Sequence, residues 1–353
     1  MTAKAKASVL RTGVTLADVA REAGVDQSTV SRVLRDDHRT RATDATRDRI
    51  REAAERLGYV PNASARSLAV RRTSTIGLLI PNVSGVIYAD IIKGAAEEAD
   101  ALGYVLVVAD GSELGRANDA VRKLVLEGRV DGLLLASGTL TDQVTEDLLG
   151  ASGNVVVLNR QIKGQVPQVI EDDELGMYLG TMELINAGHQ RIACLAGPPD
   201  VDTSRRRLKG FHKAMLQAGL PVPQKFIVHR DFDEASGHAG MTHLLGLPDR
   251  PTAVAATSLA VAVGAMAAIR DSGLAIPQDV SIVAFHDAPL ANYLSPALTT
   301  IAMPLQELGR QAMQMLHRQL IGEPGPAAVT VSDPGPIVIR RASVAAPRTA
   351  NNA

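Results

Sequence analysis

The chain has 353 residues, 46% of them hydrophobic and 21% charged, with a formal net charge of −1, one Cys and no Trp. That length exceeds one ordinary domain and allows a large core, while a single Cys excludes a disulfide framework and no apolar run is long enough to span a bilayer. The near-neutral total hides a segregation: residues 1–75 hold 15 Lys+Arg against 9 Asp+Glu, leaving 22 against 29 for the remainder.

A basic N-terminal segment on an acidic body is the pattern expected when only one part of a protein attracts phosphates. The first thirteen residues, "MTAKAKASVLRTG", are basic but lack the apolar run of a signal peptide, so a cytoplasmic location is the expectation. "VTLADVAREAGVDQSTVSRVL" then reads as two short helices. Leu16, Val19, Ala20 and Ala23 fall at helical spacing behind Thr15 and Asp18, which suit a capped N-terminus. Gly24 stands where the chain must turn with positive φ, and Val25 packs back. Asp26 caps a second helix whose inner face is Val30, Val33 and Leu34. Its outer face carries Gln27, Ser28, Thr29, Ser31 and Arg32, side chains able to read base edges and hold phosphates in a major groove. A generic helical hairpin with a polar outer face is the plainer alternative.

"ATRDRIREAAERLGYVPN" predicts a third helix with Ile50, Ala53, Ala54 and Leu57 inward, stopped by Gly58 and Pro61. "PNASARSLAVRRTST" can start another helix at Pro61 and Asn62, but that piece is too short to be stable alone. With Arg66, Arg71 and Arg72 close by, it is expected to fold against DNA, unless it is a plain linker. From Thr75 short apolar runs alternate with helical periods: "TIGLLIP", "YVLVVAD", "DGLLLAS" and "NVVVLN", then "RIACLAG", "FIVH", "TAVAAT" and "VSIVAF". Runs apolar at both parities predict strands buried on both faces, hence two doubly wound parallel α/β halves with any ligand at the strand carboxyl ends. Cys194, inside "RIACLAG", reads as a small buried core residue.

"VTLADVAREAGVDQSTVSRVL", "RLGYVPNASARSLA", "STIGLLIP", "AGHQRIACLAGP", "RRRLKGF" and "LSPALTTI", in this order and spacing, resemble the lactose/galactose repressor (LacI/GalR) family of bacterial transcription regulators. The likeness runs from about Val14 to Arg341. It implies a homodimer whose N-terminal modules bind a near-palindromic double-stranded operator, and a periplasmic-binding-protein-like core taking a small effector (a sugar, sugar derivative or other metabolite) between two subdomains. The implied layout is a helix-turn-helix domain over 1–60 and a hinge helix and linker over 61–73. An N-subdomain from 74–172 and 302–324, a C-subdomain from 173–301 and 325–344 and a disordered tail over 345–353 follow.

The resemblance places base reading on Gln27, Ser28 and Arg32, and phosphate or sugar contacts on Thr29, Ser31 and Asn62, with Thr15, Ala65 and Leu68 also at DNA-binding positions. Leu68 would wedge into the minor groove. It places effector contacts on Asn82, Tyr88, Asn159, Arg205, Arg207, Phe232, Ser258 and His286. Arg207 is the favoured ligand contact among these, its guanidinium offering a fork of donors. Departures matter: Ser258 and Leu259 stand where many relatives have Asn-Asp, Gly85-Val86 where Asn-Pro is common, and His286 where many have Asp. That last change points away from a simple sugar. The tail has no heptads, so a dimer rather than a tetramer is expected.

The rival reading, a metabolic enzyme on a doubly wound fold with an accessory DNA-binding module, lacks its signatures. There is no phosphate loop, no G-x-G-x-x-G, no G-x-S-x-G elbow and no H-E-x-x-H. No catalytic residue, metal site or cofactor is expected. The acidic run Glu171 to Glu174 reads as a helix cap and dipole partner.

Overall fold

The computed structural model describes residues 14–34, 40–59, 72–81, 85–111, 127–136, 153–162 and 166–348. The chain divides into two compact units, Met1–Thr73 and Ser74–Ala353.

In the first unit α1 (Leu16–Ala23), α2 (Gln27–Val33) and α3 (Asp44–Leu57) close around Val19, Ala20, Ala23, Val30, Val33, Ile50, Ala53 and Ala54. Thr15 caps α1 in a capping box: its hydroxyl accepts from the Asp18 N–H, and Asp18 accepts from the Thr15 N–H at 3.0 Å. Gly24 ends α1 at φ 64°, and the Val25 N–H returns to the Ala20 carbonyl at 3.1 Å. The left-handed turn there is open to glycine at little cost, and it aims the chain back for a second helix. Arg49 on α3 donates its Nε–H to the Ala23 carbonyl at 3.0 Å, tying the third helix to the end of the first.

The second unit runs β1 (Thr75–Ile80), α4 (Val86–Ala101), β2 (Val105–Asp110), β3 (Gly132–Leu135), β4 (Val155–Leu158) and β5 (Gln168–Glu171). It continues through α5 (Asp173–Asn186), β6 (Ile192–Ala196), α6 (Asp202–Gln217), β7 (Ile227–His229), α7 (Glu234–Leu245), β8 (Ala253–Ala256), α8 (Leu259–Asp271) and β9 (Ser281–Phe285). β10 (Thr299–Ala302), α9 (Leu305–Leu320), β11 (Ala328–Val331) and β12 (Ile337–Ile339) complete it. Two six-stranded sheets result, ordered β11-β5-β4-β3-β1-β2 and β12-β10-β9-β8-β6-β7. Every pairing is parallel except β10 with β12.

Most strands are buried throughout, as continuous apolar runs require, and Cys194 lies fully buried in β6 with burial pushing its thiol up to about 12. β2 departs from that expectation. It is an edge strand, and Val105 keeps 64% of its surface exposed.

Three segments carry the chain between the halves: β5 into α5, β10 into α9, and β11 into β12. The last differs from the sequence reading, which gave all of 325–344 to the second half. β11 instead pairs in parallel with β5, so residues 328–331 finish the first sheet and the return comes only after Val331. The apolar alternation of a short strand cannot say which of two edges it joins. The tail also departs from its expected disorder over residues 345–348. The Ala345 carbonyl accepts from the His189 ring at 2.9 Å and from the Ser281 hydroxyl at 3.2 Å, and Arg348 pairs with Asp279 at 2.9 Å.

Helix pairs close by glycine. A Cβ at Gly309 on α9 would sit 2.1 Å from the Ile91 carbonyl oxygen of α4, and one at Gly94 would sit 1.8 Å from that of Gln306. Backbone, not a pliable side chain, blocks both positions. Gly309→Ala is therefore expected to destabilise the unit by about 1–3 kcal/mol through overpacking, measured as a lowered urea midpoint with unchanged m.

Candidate functional site

On α2 the short side chains arrange themselves around Asp26. Its carboxylate accepts the Ser28 and Thr29 N–H groups at 2.8 and 3.0 Å and their hydroxyls at 2.6 and 2.5 Å, which holds its pKa far below the usual carboxylate range. Gln27, Ser28 and Arg32 are exposed, while Thr29 and Ser31 are half-buried. The cap therefore fixes the first turn and leaves Gln27 and Arg32 outward, one a bidentate amide and the other a guanidinium. Thr15 is the exposed cap of α1. Asn62, Ala65, Leu68 and Asn82 lie outside the described residues, as do Arg66 and Arg71.

A second cluster of polar side chains gathers at the carboxyl ends of the strands of the second unit, the place where open α/β sheets take ligands. Three consecutive arginines show how helix geometry sorts them, since successive residues point about 100° apart. Arg205 turns out to solvent and donates to the Asp200 carbonyl at 2.7 Å. Arg206 and Arg207 turn inward and share Asp173, which has no exposed surface. Arg207 places Nε on Asp173 at 2.6 Å, Nη1 on the Thr257 carbonyl at 2.8 Å and Nη2 at 3.4 Å from His286 Nε2, its carbon 4.2 Å from the centre of the Phe285 ring. Arg206 gives Nε to Asp202 at 2.9 Å, Nη1 to Asp173 and to the Glu171 carbonyl at 2.8 Å, and Nη2 to the Asn159 carbonyl at 3.5 Å. Asp202 also accepts the Gln161 N–H at 2.8 Å. Through Arg206 and Asp202, α6 of the second half thus holds the ends of β4 and β5 of the first.

Among the other expected contacts, Asn159 and His286 follow β4 and β9 at φ 62° and 69°, the left-handed region uncommon for side-chain-bearing residues and costly where it persists. His286 is buried. Desolvation, with Arg207 beside it, holds its pKa well below the ordinary value, so the ring is neutral. Tyr88, in the first turn of α4, lies within electrostatic reach of Arg207 and Glu171, and burial pushes its hydroxyl up to about 12. The Phe232 ring occupies the space where a Cβ on Gly197 would be, 2.3 Å from Cζ. Ser258 caps α8: its hydroxyl accepts the Val261 N–H at 3.1 Å and donates to the Phe232 carbonyl at 3.3 Å. Its capacity is thus largely used within the fold. Arg205 does not join the cluster.

The sequence reading left Arg206 and Ser204 out of the site and took Glu171 and Asp173 only as parts of a helix cap. The run Glu171 to Glu174 divides four ways: Asp172 caps α5 by accepting the Leu175 N–H at 2.9 Å, Glu174 pairs with Lys209 at 2.8 Å, Asp173 sits between the arginines, and Glu171 ends β5. Only the first two behave as helix-start acids. Val169 and Glu171 share one face of β5, and both are buried, so the strand's parity carried two residues past Val169 was the available signal.

Burial and the neighbouring Asp173 push the Glu171 carboxyl up to about 8. An unfolded Glu titrates near 4.5. The folded form therefore binds the proton more tightly, and its contribution to stability is complete below pH 4.5 and is lost as pH rises through 8. Glu171→Gln is expected to flatten this decline, so that the variant gains on the native chain as pH rises from about 4.5 to about 8 in urea denaturation.

A cavity of about 330 Å³ elsewhere, lined among others by Pro167, Arg310, Gln314, Arg318 and Glu323, contains none of these strand-end residues. No helix among the described residues is long and apolar enough to cross a membrane.

Residues 15–62 match the model of the bacterial regulatory proteins of the lacI family, and 181–344 match a periplasmic binding protein-like domain. The chain is 35% identical over 311 residues to the HTH-type transcriptional repressor PurR of Photobacterium profundum, covering 87% of this chain and 92% of that one. It is 36% identical over 308 residues to the ribose operon repressor of Escherichia coli (strain K12), covering 86% and 92%. The lac repressor dimer solved with operator and the anti-inducer ONPF superposes with a TM-score of 0.83 at 30% identity, over 95% of this chain and 100% of that one. These relatives are repressors, which removes the enzyme reading. A capped helix-turn-helix, two parallel-sheet halves meeting at a polar cluster, and identity over nearly the whole length all converge: the chain belongs to the lacI family of bacterial regulatory proteins, transcriptional repressors with a DNA-binding N-terminal domain and an effector-binding core.

Proposed function

We propose that this repressor binds a near-palindromic operator as a homodimer in the cytoplasm, and that a small effector at the strand-end cluster controls that binding. Gln27, Ser28 and Arg32 read bases, with Thr15, Thr29 and Ser31 on the backbone and Asn62, Ala65 and Leu68 in a hinge segment over 61–73. The exposed Gln27, at the front of an Asp26-capped helix, and the exposed Arg32, in its last turn, carry the DNA half of this reading. For the effector, Tyr88, Asn159, Arg207, Phe232 and His286 supply the contacts, joined by Asn82; Ser258 and Arg205 stand at the margin.

DNA selected from a random pool, scored by gel shift, tests the reading. Gln27→Ala is expected to relax base preference in each half-site at a cost of about 1–3 kcal/mol. An unchanged selected sequence would remove α2 from base reading.

A further inference from the structure

Among the described residues three side-chain-bearing positions take left-handed backbone. Asn159 and His286 follow strands and belong to the polar cluster, whereas Ser74, at φ 52°, precedes one, at the amino end of β1. It is also the first residue of the second unit, so the chain from the DNA-binding unit enters the core through it. Ser74 is exposed, and packing of its side chain does not hold it in a conformation that a non-glycine residue adopts only at a cost. Its backbone bonds do. The Ser74 N–H donates to Asp131 Oδ2 at 2.9 Å, and the Ser74 carbonyl accepts the Val105 N–H at 2.9 Å. Asp131 is itself fixed: its N–H donates to the Thr75 carbonyl at 2.8 Å, and its carbonyl accepts from Asn154 Nδ2 at 3.3 Å.

The amino ends of β1, β2 and β3 thus converge on one residue. β1 lies between β2 and β3 in the sheet, with Thr75 opposite Val105 and Ile76 opposite Gly132. The ladder uses only the carbonyl of Ser74, and the N–H of an exposed residue needs no protein partner, because water serves it. The bond from the Asp131 side chain therefore does something else: it sets the Ser74 backbone one residue before the strand. We propose that Ser74 and Asp131 form the root of the linker. The carboxylate holds Ser74 left-handed, the chain leaves the sheet in one fixed direction, and the DNA-binding modules of a dimer are restricted to placements that suit an operator. This rests on the proposed paired binding of a near-palindromic operator. Each backbone residue left free to rotate adds conformations that must be given up on binding, and a dimer gives them up twice. The second module of the pair also loses effective concentration at its half-site. Asp131 is accordingly a positioning residue, which acts on operator affinity without touching DNA.

The test uses the full-length chain and the duplex selected from the random pool, with a scrambled duplex of equal length as control. Fluorescence anisotropy measures affinity and thermal unfolding measures folding, for the native chain, Asp131→Ala, Asp131→Asn and Ser74→Gly. Asp131→Ala is expected to weaken operator binding about tenfold while affinity for the scrambled duplex stays within about twofold, since the phosphate contacts are unchanged. Asp131→Asn keeps an acceptor oxygen and should recover most of the loss. Ser74→Gly separates positioning from stability. Glycine takes the left-handed region without strain, so the melting temperature should hold or rise, yet it takes the other regions as readily, and operator binding should fall about fivefold or more. Native operator affinity in both Asp131→Ala and Ser74→Gly would overturn the proposal and leave the pair as a brace at the strand ends. So would a loss in Asp131→Ala that only follows a fallen melting temperature while Ser74→Gly binds as the native chain does, or equal losses on operator and scrambled duplex. Failure of the native chain to enrich any sequence from the pool would overturn the operator reading itself, and the linker root with it.

Discussion

Asp173→Asn is expected to lower the stability of the C-terminal unit by about 3–5 kcal/mol, the range for removing one partner of a buried ionic group. The carboxylate has no exposed surface and lies between two guanidiniums, accepting from Arg207 Nε at 2.6 Å and from Arg206 Nη1. An amide keeps the shape and one acceptor but removes the charge, and its NH2 faces a donor. Both cations then stay buried with their main counter-charge gone. The loss should persist in high salt, because a pair removed from water is screened little. Urea denaturation of the native chain, Asp173→Asn, Arg207→Met and the double variant checks the argument. The double variant should be less damaged than the sum of the two by about 0.5–3 kcal/mol, since the second change removes a charge that the first had stranded. Full additivity would mean that the two groups do not depend on each other.

Arg206→Met is the second large effect, and its signature is a loosening between the halves as well as a fall in stability. This side chain, on α6, holds the carbonyls that end β4 and β5 and positions Asp202, which in turn receives the Gln161 N–H. Without it the cost is again about 3–5 kcal/mol, with Asp173 keeping only Arg207. Hydrogen exchange should speed up at the Gln161 amide before it does in β8 or β9. Coupling between effector and operator, typically about 1–3 kcal/mol in such systems, should shrink because ligand energy entering one half no longer reaches the other. Operator titrations with and without effector measure that, and a variant with full coupling would limit Arg206 to a structural role.

Much of the DNA-binding unit was legible in the sequence because its determinants are local. Thr15 with Asp18, Gly24, and Asp26 each act within four residues, so a capping rule applied to the text finds the same bonds as the structure. The strand-end cluster was legible only in part. "RRR" announces three arginines, yet which of them turns inward depends on the phase of α6, set by where Asp202 begins it. "EDDE" was read as one acidic cap, whereas a strand ends inside it, and one residue of shift separates a surface acid from the buried Glu171. Asp173 and Arg207 stand 34 residues apart and His286 a further 79 on, so their meeting follows from tertiary contact alone. The β11 partner was misjudged for the same reason: three to four apolar residues fit either sheet edge.

That β11 pairing also has a meaning for synthesis. β5 emerges from the ribosome about 160 residues before the strand that covers its outer edge. During that interval the second half can begin to form, with β6, β8 and β9 already available, while the first waits with an uncovered edge and without α9 against α4. An open strand edge is a template for another chain. Nascent chains halted between residues 172 and 327 should therefore depend on holding chaperones more than the released protein does, and truncation at any point before Val331 damages the half that was translated first.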